Sequence, residues 1–590
     1  MSLSSSPGSR PDNPYWLLLG CFLLVGTGLL LMDGPPGNSY LSDVDDIARR
    51  LQITDLLRDG QWHDPSWPFL HTPDVYQSPW SRLVDAPYVF ITWALSPFMD
   101  TDSGFRIARL VVPPLWFVIY AAFTVRVMLH LTGRRPGAIP VAMAALASFL
   151  VMPEFYPARI DHHNVQLVLM MALSLGLVSP HRHAGLLVGL ASFLSIAVGL
   201  ECTPFIAIAL IGLGLVAVWT GEAGHIHRFS QAGLSLGLLT LPGSLMLIGS
   251  TGVGQVYCDA LSAPWILALS AGGWVIALAP QLWGISAFSS RAARFASLAM
   301  PGVLLLSGLW VAFPQCHHGP LYMVDPIAKE FWLSRVLQEH DFIRLYAEGG
   351  PRVLVFGPVA LTGVLIAIWT WMRPRTAGAG VLYAIAVAAV VLALLQNRNF
   401  PFAACFTALF VPGLVQAYGR VSSLRTRLVP LVVPALAITV IIIAVRRTEP
   451  PIDLFMVMKG DACLNQDLSV LDTAPPGIIM APPRMSFTLA DYNQTSGGHH
   501  PVASLPFHRA APSISMVAQT FTRDDADPRR EALAPFDYVA VCRMDLELDR
   551  APAPLFGALA AGEDWPGLID VTPDSGSRFR LMRIDHDALQ

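Results

Sequence analysis

A chain of 590 residues that is 53% hydrophobic and only 14% charged, with mean hydropathy +0.51, is too apolar for a soluble protein and requires many membrane spans. Its net charge of −4 gives no electrostatic footprint for a nucleic-acid partner. Residues 1–14 are polar, and the apolar run 15–32 is followed by Asp33-Gly34-Pro35-Pro36 rather than a small-residue cleavage site. That run reads as a retained first helix.

At about 20 apolar residues per crossing, thirteen spans are expected: 15–32, 106–131, 138–153, 164–179, 184–200, 203–220, 232–250, 263–281, 296–313, 353–372, 378–396, 401–418 and 428–446. Arg10, Arg134 with Arg135, Arg182, Arg228, Arg291 with Arg294, Arg373 with Arg375, and Arg420 with Arg425 and Arg427 fall in alternate loops, which assigns those loops to the cytoplasm. An odd number of spans then leaves the N-terminus cytoplasmic and the C-terminus outside. The expected architecture is a polytopic α-helical membrane protein of about 13 transmembrane helices over 1–447, with a C-terminal extracytoplasmic α/β domain over 448–590.

The outer side receives a long first loop (33–103), the Arg159–Asn164 turn, the Glu201-Cys202 turn, a loop over 314–352, the Gln396–Asn399 turn and everything after Arg447. Within the first loop, Asp45 to Leu57 places Ile47, Leu51, Ile53, Leu56 and Leu57 near helical spacing, a pattern for a helix lying along the membrane surface. Trp62 to Tyr88 is rich in Trp, Pro and His, which suits the interface. In the distal domain, Gly477–Met480 and Tyr538–Cys542 read as short strands. Cys463 and Cys542 would pair there in an oxidising compartment, whereas the other five cysteines lie in or beside apolar segments and read as inert.

Ionisable groups beside lipid are costly, so two polar knots at outer helix ends are the first functional candidates. Asp43, Asp45 and Asp46 crowd three carboxylates into four residues, ahead of Arg49 and Arg50. They suit either a cation site or the acidic first turn of a helix. In Arg159-Ile160-Asp161-His162-His163-Asn164, Asp161 and His163 can point to one side as oxygen and nitrogen ligands, while His162 faces elsewhere or binds substrate. Arg159 would neutralise a phosphate or orient Asp161; the bland alternative is an interfacial turn with Asp161 capping the next helix. Glu201 reads as a helix cap, Cys316-His317-His318 as a short metal-like run, and Asp325 and Glu330 as further acidic candidates. Arg398 stands alone at an outer helix end, where a lipid phosphate or snorkelling accounts for it. Arg82 and Asp85 form a pair in the first loop, and Asp491-Tyr492-Asn493, His499-His500 and His508-Arg509 line either an acceptor site or a solvated loop.

A long first outer loop that opens with acidic residues just after the first helix resembles the GT-C-type glycosyltransferases. Thirteen spans with an outer C-terminal domain resemble, more narrowly, the catalytic subunit of oligosaccharyltransferase in its single-subunit bacterial and archaeal forms. The Asp-Asp near the start, Trp80-Ser81-Arg82-Leu83-Val84-Asp85, the Arg-Ile-Asp-His-His-Asn run and the Gly319-Pro320…Asp325-Pro326 element are also similar to a group of proteobacterial membrane proteins. The resemblance implies a GT-C-like fold in a bacterial inner membrane with a periplasmic distal domain, a polyprenyl-linked sugar donor, and Mn²⁺ or Mg²⁺ held by Asp161, His163 and one first-loop carboxylate, preferably Asp45. It implies donor-phosphate contacts from Arg159, Arg398 or His162, and an acceptor that is protein, lipid or glycan. The family's Trp-Trp-Asp-Tyr-Gly signature is absent, and Ala490-Asp491-Tyr492 does not replace it. A carboxylate among Asp43, Asp45 and Asp46 would serve as general base in a metal-independent alternative. A polysaccharide polymerase or ligase without metal, and a lipid-linked-sugar transporter or flippase, are the rival readings; carboxylates gathered at one face, with no repeated halves, count against transport.

Overall fold

A computed structural model describes residues 15–32, 44–445 and 454–589, apart from 59, 73, 134–135, 349–351, 374–375, 422, 462, 546–552 and 573–575. Asp43, Arg10, Arg134, Arg135, Arg375 and Arg447 therefore lie outside the described residues.

The molecule is mostly helical. Among the described residues, eight helices are long and apolar enough to cross a membrane: Tyr15–Met32, Thr101–Thr132, Thr203–Thr220, Ala223–Gly254, Ala263–Gly284, Arg291–Ala312, Ala377–Leu395 and Leu424–Ala444. The count rises to ten when two bent pairs, Ala138–Ala147 with Phe149–Phe155 (69°) and Asn397–Ala408 with Val411–Tyr418 (49°), are each taken as one span. The remaining expected spans are shorter apolar helices, His163–Val178, Ala184–Val198 and Phe356–Met372. At about 1.5 Å per residue, a 16-residue helix is shorter than a hydrocarbon core of about 30 Å. Length and composition thus support eight to ten spans rather than the expected thirteen.

The distal region carries a four-stranded sheet: β1 (Ile479–Met480), β2 (Tyr538–Cys542), β3 (Leu568–Asp570) and β4 (Phe579–Ile584), in the order β1-β2-β4-β3. β1 runs parallel to β2, and the other two pairings are antiparallel. The two β-like runs read from the sequence are β1 and β2. Cys463 and Cys542 are joined in a disulfide. A second disulfide joins Cys258 to Cys316, which corrects the reading of five inert cysteines; Cys21, Cys202 and Cys405 are the free ones.

One hydrophobic core crosses the expected boundary at 447/448. It combines Ile47, Ala48 and Leu51 with Trp67, Leu70 and Tyr76 of the first loop, and with Ile479, Met485, Phe487, Val502 and Tyr538 of the distal region. Backbone bonds from His71 N–H to the Val502 carbonyl (2.8 Å) and from Val502 N–H to the Phe69 carbonyl (3.0 Å) reinforce the seam. Helix Val44–Arg58 buries Asp46, Ile47, Ala48, Arg49, Leu51, Gln52 and Ile53. It packs against helix Pro483–Ser496 through Gln494 Nε2 donating to the Leu51 carbonyl (3.1 Å) and through the Arg50–Asp491 pair (2.8 Å). The expected surface-lying helix is instead held between two parts of the protein, because its apolar residues find protein partners on more than one face.

Candidate functional site

The site forms where helix Val44–Arg58 meets the turn leading into helix His163–Val178. Asp45 and Asp46 occupy the first turn of the former, where the helix dipole favours carboxylates. The turn opposite reverses at Ala158, a non-glycine residue at φ 71°, whose N–H donates to the Arg109 carbonyl at 2.9 Å. Such a conformation persists only where its surroundings impose it. Here it brings Arg159, Ile160 and Asp161 against Asp46. Asp46 Oδ1 accepts from the N–H groups of Ile160 (2.8 Å) and Asp161 (3.0 Å), and its Oδ2 receives Arg159 Nη1 at 2.7 Å.

Asp161 is completely buried. Its Oδ2 lies 2.5 Å from His163 Nδ1 and 3.1 Å from Arg159 Nη2, and its Oδ1 lies 2.6 Å from His162 Nδ1. The two imidazoles stack with centroids 4.4 Å apart. On the far side, His162 Nε2 is 3.4 Å from Glu201 Oε1, while Gln166 donates to Glu201 Oε2 at 2.6 Å. Asp161, His162 and His163 each offer a ligand atom, and these atoms all lie within 4.8 Å of one another.

Burial raises the Asp161 carboxyl, but the charges of His163, His162 and Arg159 overcome it and hold the group well below the usual carboxylate range. Burial likewise opposes a proton on His162, yet Asp161 and Glu201 push that imidazole up to about 10. Glu201 is held below its ordinary range despite burial, chiefly by His162. A carboxylate beside two imidazoles is a donor set suited to a mid-series divalent ion such as Mn²⁺ or Zn²⁺. Binding such an ion would displace the His162 proton.

A second polar group supports the first. Asp85, fully buried, accepts from Arg49 Nη1 (2.7 Å), Gln52 Nε2 (2.6 Å) and Arg82 Nη1 (3.2 Å). The Arg49 guanidinium lies 4.4 Å from the Trp80 ring centroid, and Trp80 stands 6.0 Å from His162. The Arg82–Asp85 pair expected in the first loop is therefore one arm of a larger buried network.

No protein-family model matches the chain, and no curated protein sequence matches it. Solved structures do. The archaeal oligosaccharyltransferase AglB from Archaeoglobus fulgidus, in complex with an inhibitory peptide and a dolichol-phosphate, superposes with TM-score 0.62 at 12% identity, over 96% of this chain and 74% of that one. The chain has the oligosaccharyltransferase fold. A second structure of the Archaeoglobus fulgidus enzyme, tethered by a disulfide to an acceptor peptide containing the NVT sequon, gives TM-score 0.62 at 13% identity with the same coverages, 96% and 74%. Its complex with Zn and sulfate gives 0.58 at 13% identity, over 95% of this chain and 72% of that one.

Within this oligosaccharyltransferase fold, several expected site residues stand elsewhere. Asp45 is half-buried and outside the group of three ligand residues; its charge acts on Tyr76. Successive helical residues point about 100° apart, and it is Asp46 that accepts from Arg159 and from the turn's N–H groups. His162, expected to face elsewhere or to bind substrate, belongs to the ligand group. Arg398 pairs with Glu339 and does not bond to Asp161 or His163. Asp325 caps helix Pro326–Phe331 and accepts from Ser515 Oγ at 2.5 Å, and Glu330 is exposed. The Cys-His-His run dissolves: Cys316 is in a disulfide, and His317 stacks on Trp310 at 3.6 Å. Among the distal candidates, Asp491 pairs with Arg50, and His500 is buried between the carbonyls of Gly477 and Leu471.

Two residues have partners that the sequence reading did not give them. Glu201 does not cap helix Thr203–Thr220 but faces His162; a carboxylate in a turn between two apolar helices was signal enough. Asp259 accepts from Arg509 Nε (2.7 Å) and Nη2 (3.1 Å), with His508 Nε2 2.7 Å away. Some 250 residues separate these partners, so no local pattern announces them.

Proposed function

We propose that this protein is a membrane glycosyltransferase that moves a sugar or oligosaccharide from a polyprenyl-(di)phosphate donor to an acceptor at the outer face of a bacterial inner membrane, with metal assistance. The observation that carries this reading is the buried Asp161–His162–His163 ligand group bridged by Arg159 to Asp46. It sits in a fold shared with enzymes solved with a dolichol-phosphate, an acceptor peptide, and Zn with sulfate. The transmembrane part (1–447) would hold the lipid and the distal part (448–590), on the periplasmic side, would help to receive the acceptor. With the Trp-Trp-Asp-Tyr-Gly signature absent, the acceptor class stays open among protein, lipid and glycan.

Asp161, His162 and His163 would hold the ion, with Glu201 and Asp46 as neighbouring carboxylates. A bound divalent ion supplies a positive charge where the leaving phosphate gains negative charge. Arg159 adds a guanidinium in a buried setting, already oriented by Asp46 and Asp161, so little reorganisation is needed. Asp46 keeps the turn closed through two backbone N–H groups. Glu201 orients His162 from its far side. Asp45, half-buried in the same helical turn, would serve as general base on an acceptor hydroxyl.

A metal-independent reading has one observation in its favour: Arg159 already offsets both Asp46 and Asp161. One experiment separates the two. Purified protein is given a radiolabelled polyprenyl-linked sugar, and transfer is measured with and without EDTA, then after adding back Mn²⁺ or Zn²⁺. Loss on chelation with recovery on add-back supports metal assistance; unchanged transfer supports the metal-independent enzyme. Uptake into vesicles without transfer would overturn the glycosyltransferase.

A further inference from the structure

The two disulfides sit in different surroundings. Cys258 is followed by Asp259, whose oxygens are taken up by Arg509 and His508. Cys463 lies two residues after Asp461, a carboxyl that is only 4% exposed and that no side chain among the described residues pairs with. Asp461 Oδ1 accepts from Cys463 N–H at 3.1 Å, and its Oδ2 accepts from Cys542 N–H at 3.2 Å. One buried acid is therefore bonded to the backbone of both half-cystines.

Three further features surround this pair. Cys463 has φ 42° and Asn465 φ 61°, two non-glycine residues in the left-handed region within three positions. Such backbone persists only where its surroundings hold it, and the S–S bond is one of the holds. An open cavity of about 560 Å³ is lined by Asp461, Cys463 and Cys542 together with Arg543 and Arg578. Both arginines are exposed, and cations beside a sulfur favour its thiolate. Finally, both cysteines belong to the core that seats Ile47, Ala48 and Leu51, so a change at the pair bears on the helix that carries Asp46.

We infer that Cys463–Cys542 is a redox-active site that exchanges with an external dithiol through this cavity, with Asp461 as its proton donor. A thiolate of the dithiol attacks Cys463 Sγ, the S–S bond breaks, and Cys542 leaves as a thiolate that takes the proton of Asp461. The second thiolate of the dithiol then attacks its own bound sulfur. That closes the reductant's disulfide and releases Cys463, which is protonated from water. Two electrons and two protons pass from the dithiol to the protein, and water restores the proton of Asp461. Burial pushes the Asp461 carboxyl up to about 7, so it still carries a proton near neutral pH. The inference concerns the disulfide alone and stands whether or not sugar transfer is observed.

The test uses the full chain in detergent, reduced for timed intervals with dithiothreitol, quenched, alkylated and read pair by pair by peptide mass spectrometry. Exposure alone favours Cys258–Cys316, since Cys316 is half-buried whereas Cys463 and Cys542 are each 6% exposed. The site predicts the reverse order, with Cys463–Cys542 opening about tenfold faster in the folded protein. Asp461→Asn is expected to slow that opening by about tenfold and to leave Cys258–Cys316 unchanged. Arg543→Gln with Arg578→Gln, on exposed side chains, serves if Asp461→Asn unfolds. It is expected to slow opening by the anionic thiol mercaptoethanesulfonate more than by neutral mercaptoethanol. Opening of Cys463–Cys542 no faster than Cys258–Cys316, or only on unfolding, overturns the inference. So does an unchanged rate in folded Asp461→Asn, or an unchanged ratio between the two thiols in the arginine variant.

Discussion

Asp161 and Asp259 are two buried carboxylates with the same kinds of partner, an arginine and histidine, yet they are assembled differently. Asp259 takes Arg509 through both its oxygens and His508 as well, from a segment about 250 residues away. Each oxygen is satisfied, and Arg509 is further fixed by the Gln77 carbonyl (2.9 Å) and the Tyr257 ring (4.1 Å). This is a clamp joining the first loop, the Tyr257–Asp259 turn and the distal region. Asp161 instead draws its arginine and both histidines from within two residues, and two more carboxylates, Asp46 and Glu201, crowd the same partners. There, three carboxylates converge on one arginine and two adjacent imidazoles. A carboxylate–arginine–histidine set is therefore no sign of chemistry by itself; two stacked imidazoles sharing one buried carboxylate within ligand distance are the feature that sets Asp161 apart.

The contrast is most exposed to test at Asp259. Replacing it with Ala leaves Arg509 buried without its anion, and thermal unfolding is expected to show a loss of about 3–5 kcal/mol, with transfer per folded molecule preserved. Asp161→Asn is expected to lower sugar transfer by about 10²–10³-fold, the range for losing a preorganised partner of developing charge. If both variants lost only stability, the two sites would be of one kind. Cys258→Ser with Cys316→Ser removes the tether adjoining Asp259 and closing a 58-residue separation. A stability loss of about 2–4 kcal/mol is expected, read as a lower unfolding temperature that reducing agent reproduces in the unaltered protein.

The last effect is a slope. Burial pushes the Asp461 carboxyl up to about 7 from an ordinary 3.8, against the N–H groups of Cys542 and Cys463 that bond to it. The folded state then holds a proton that the unfolded chain releases, so stability falls as pH rises from about 4 to about 7 and levels off above. Asp461→Asn is expected to flatten unfolding temperature across that window; an unchanged slope would assign the pH dependence to other groups.

Much of the site was legible because it is local. Arg159, Asp161 and His163 lie within five residues between two apolar runs, and a charged turn beside lipid stands out in any reading of the chain. Glu201 carried the same signal and was passed over in favour of a cap. The choice between Asp45 and Asp46 was not legible, since it depends on how helix Val44–Arg58 is rotated against Arg159. The partners of the Cys316-His317-His318 run were not legible for a related reason: Cys258 and Trp310 are brought to it by the folded loop and not by neighbouring residues.

The sequence by itself determined the class of this molecule. Apolar runs at the right length make membrane helices because unpaired backbone groups are not tolerated in lipid. The strand pair Ile479–Met480 and Tyr538–Cys542 follows from short β-prone runs between breakers. Only the tertiary structure decided that the first loop and the distal region share one core, that Asp46 and Glu201 join the histidine turn, and that Asp259 is a clamp. Each of those depends on contacts between residues far apart in the chain, which spacing does not encode and packing alone selects.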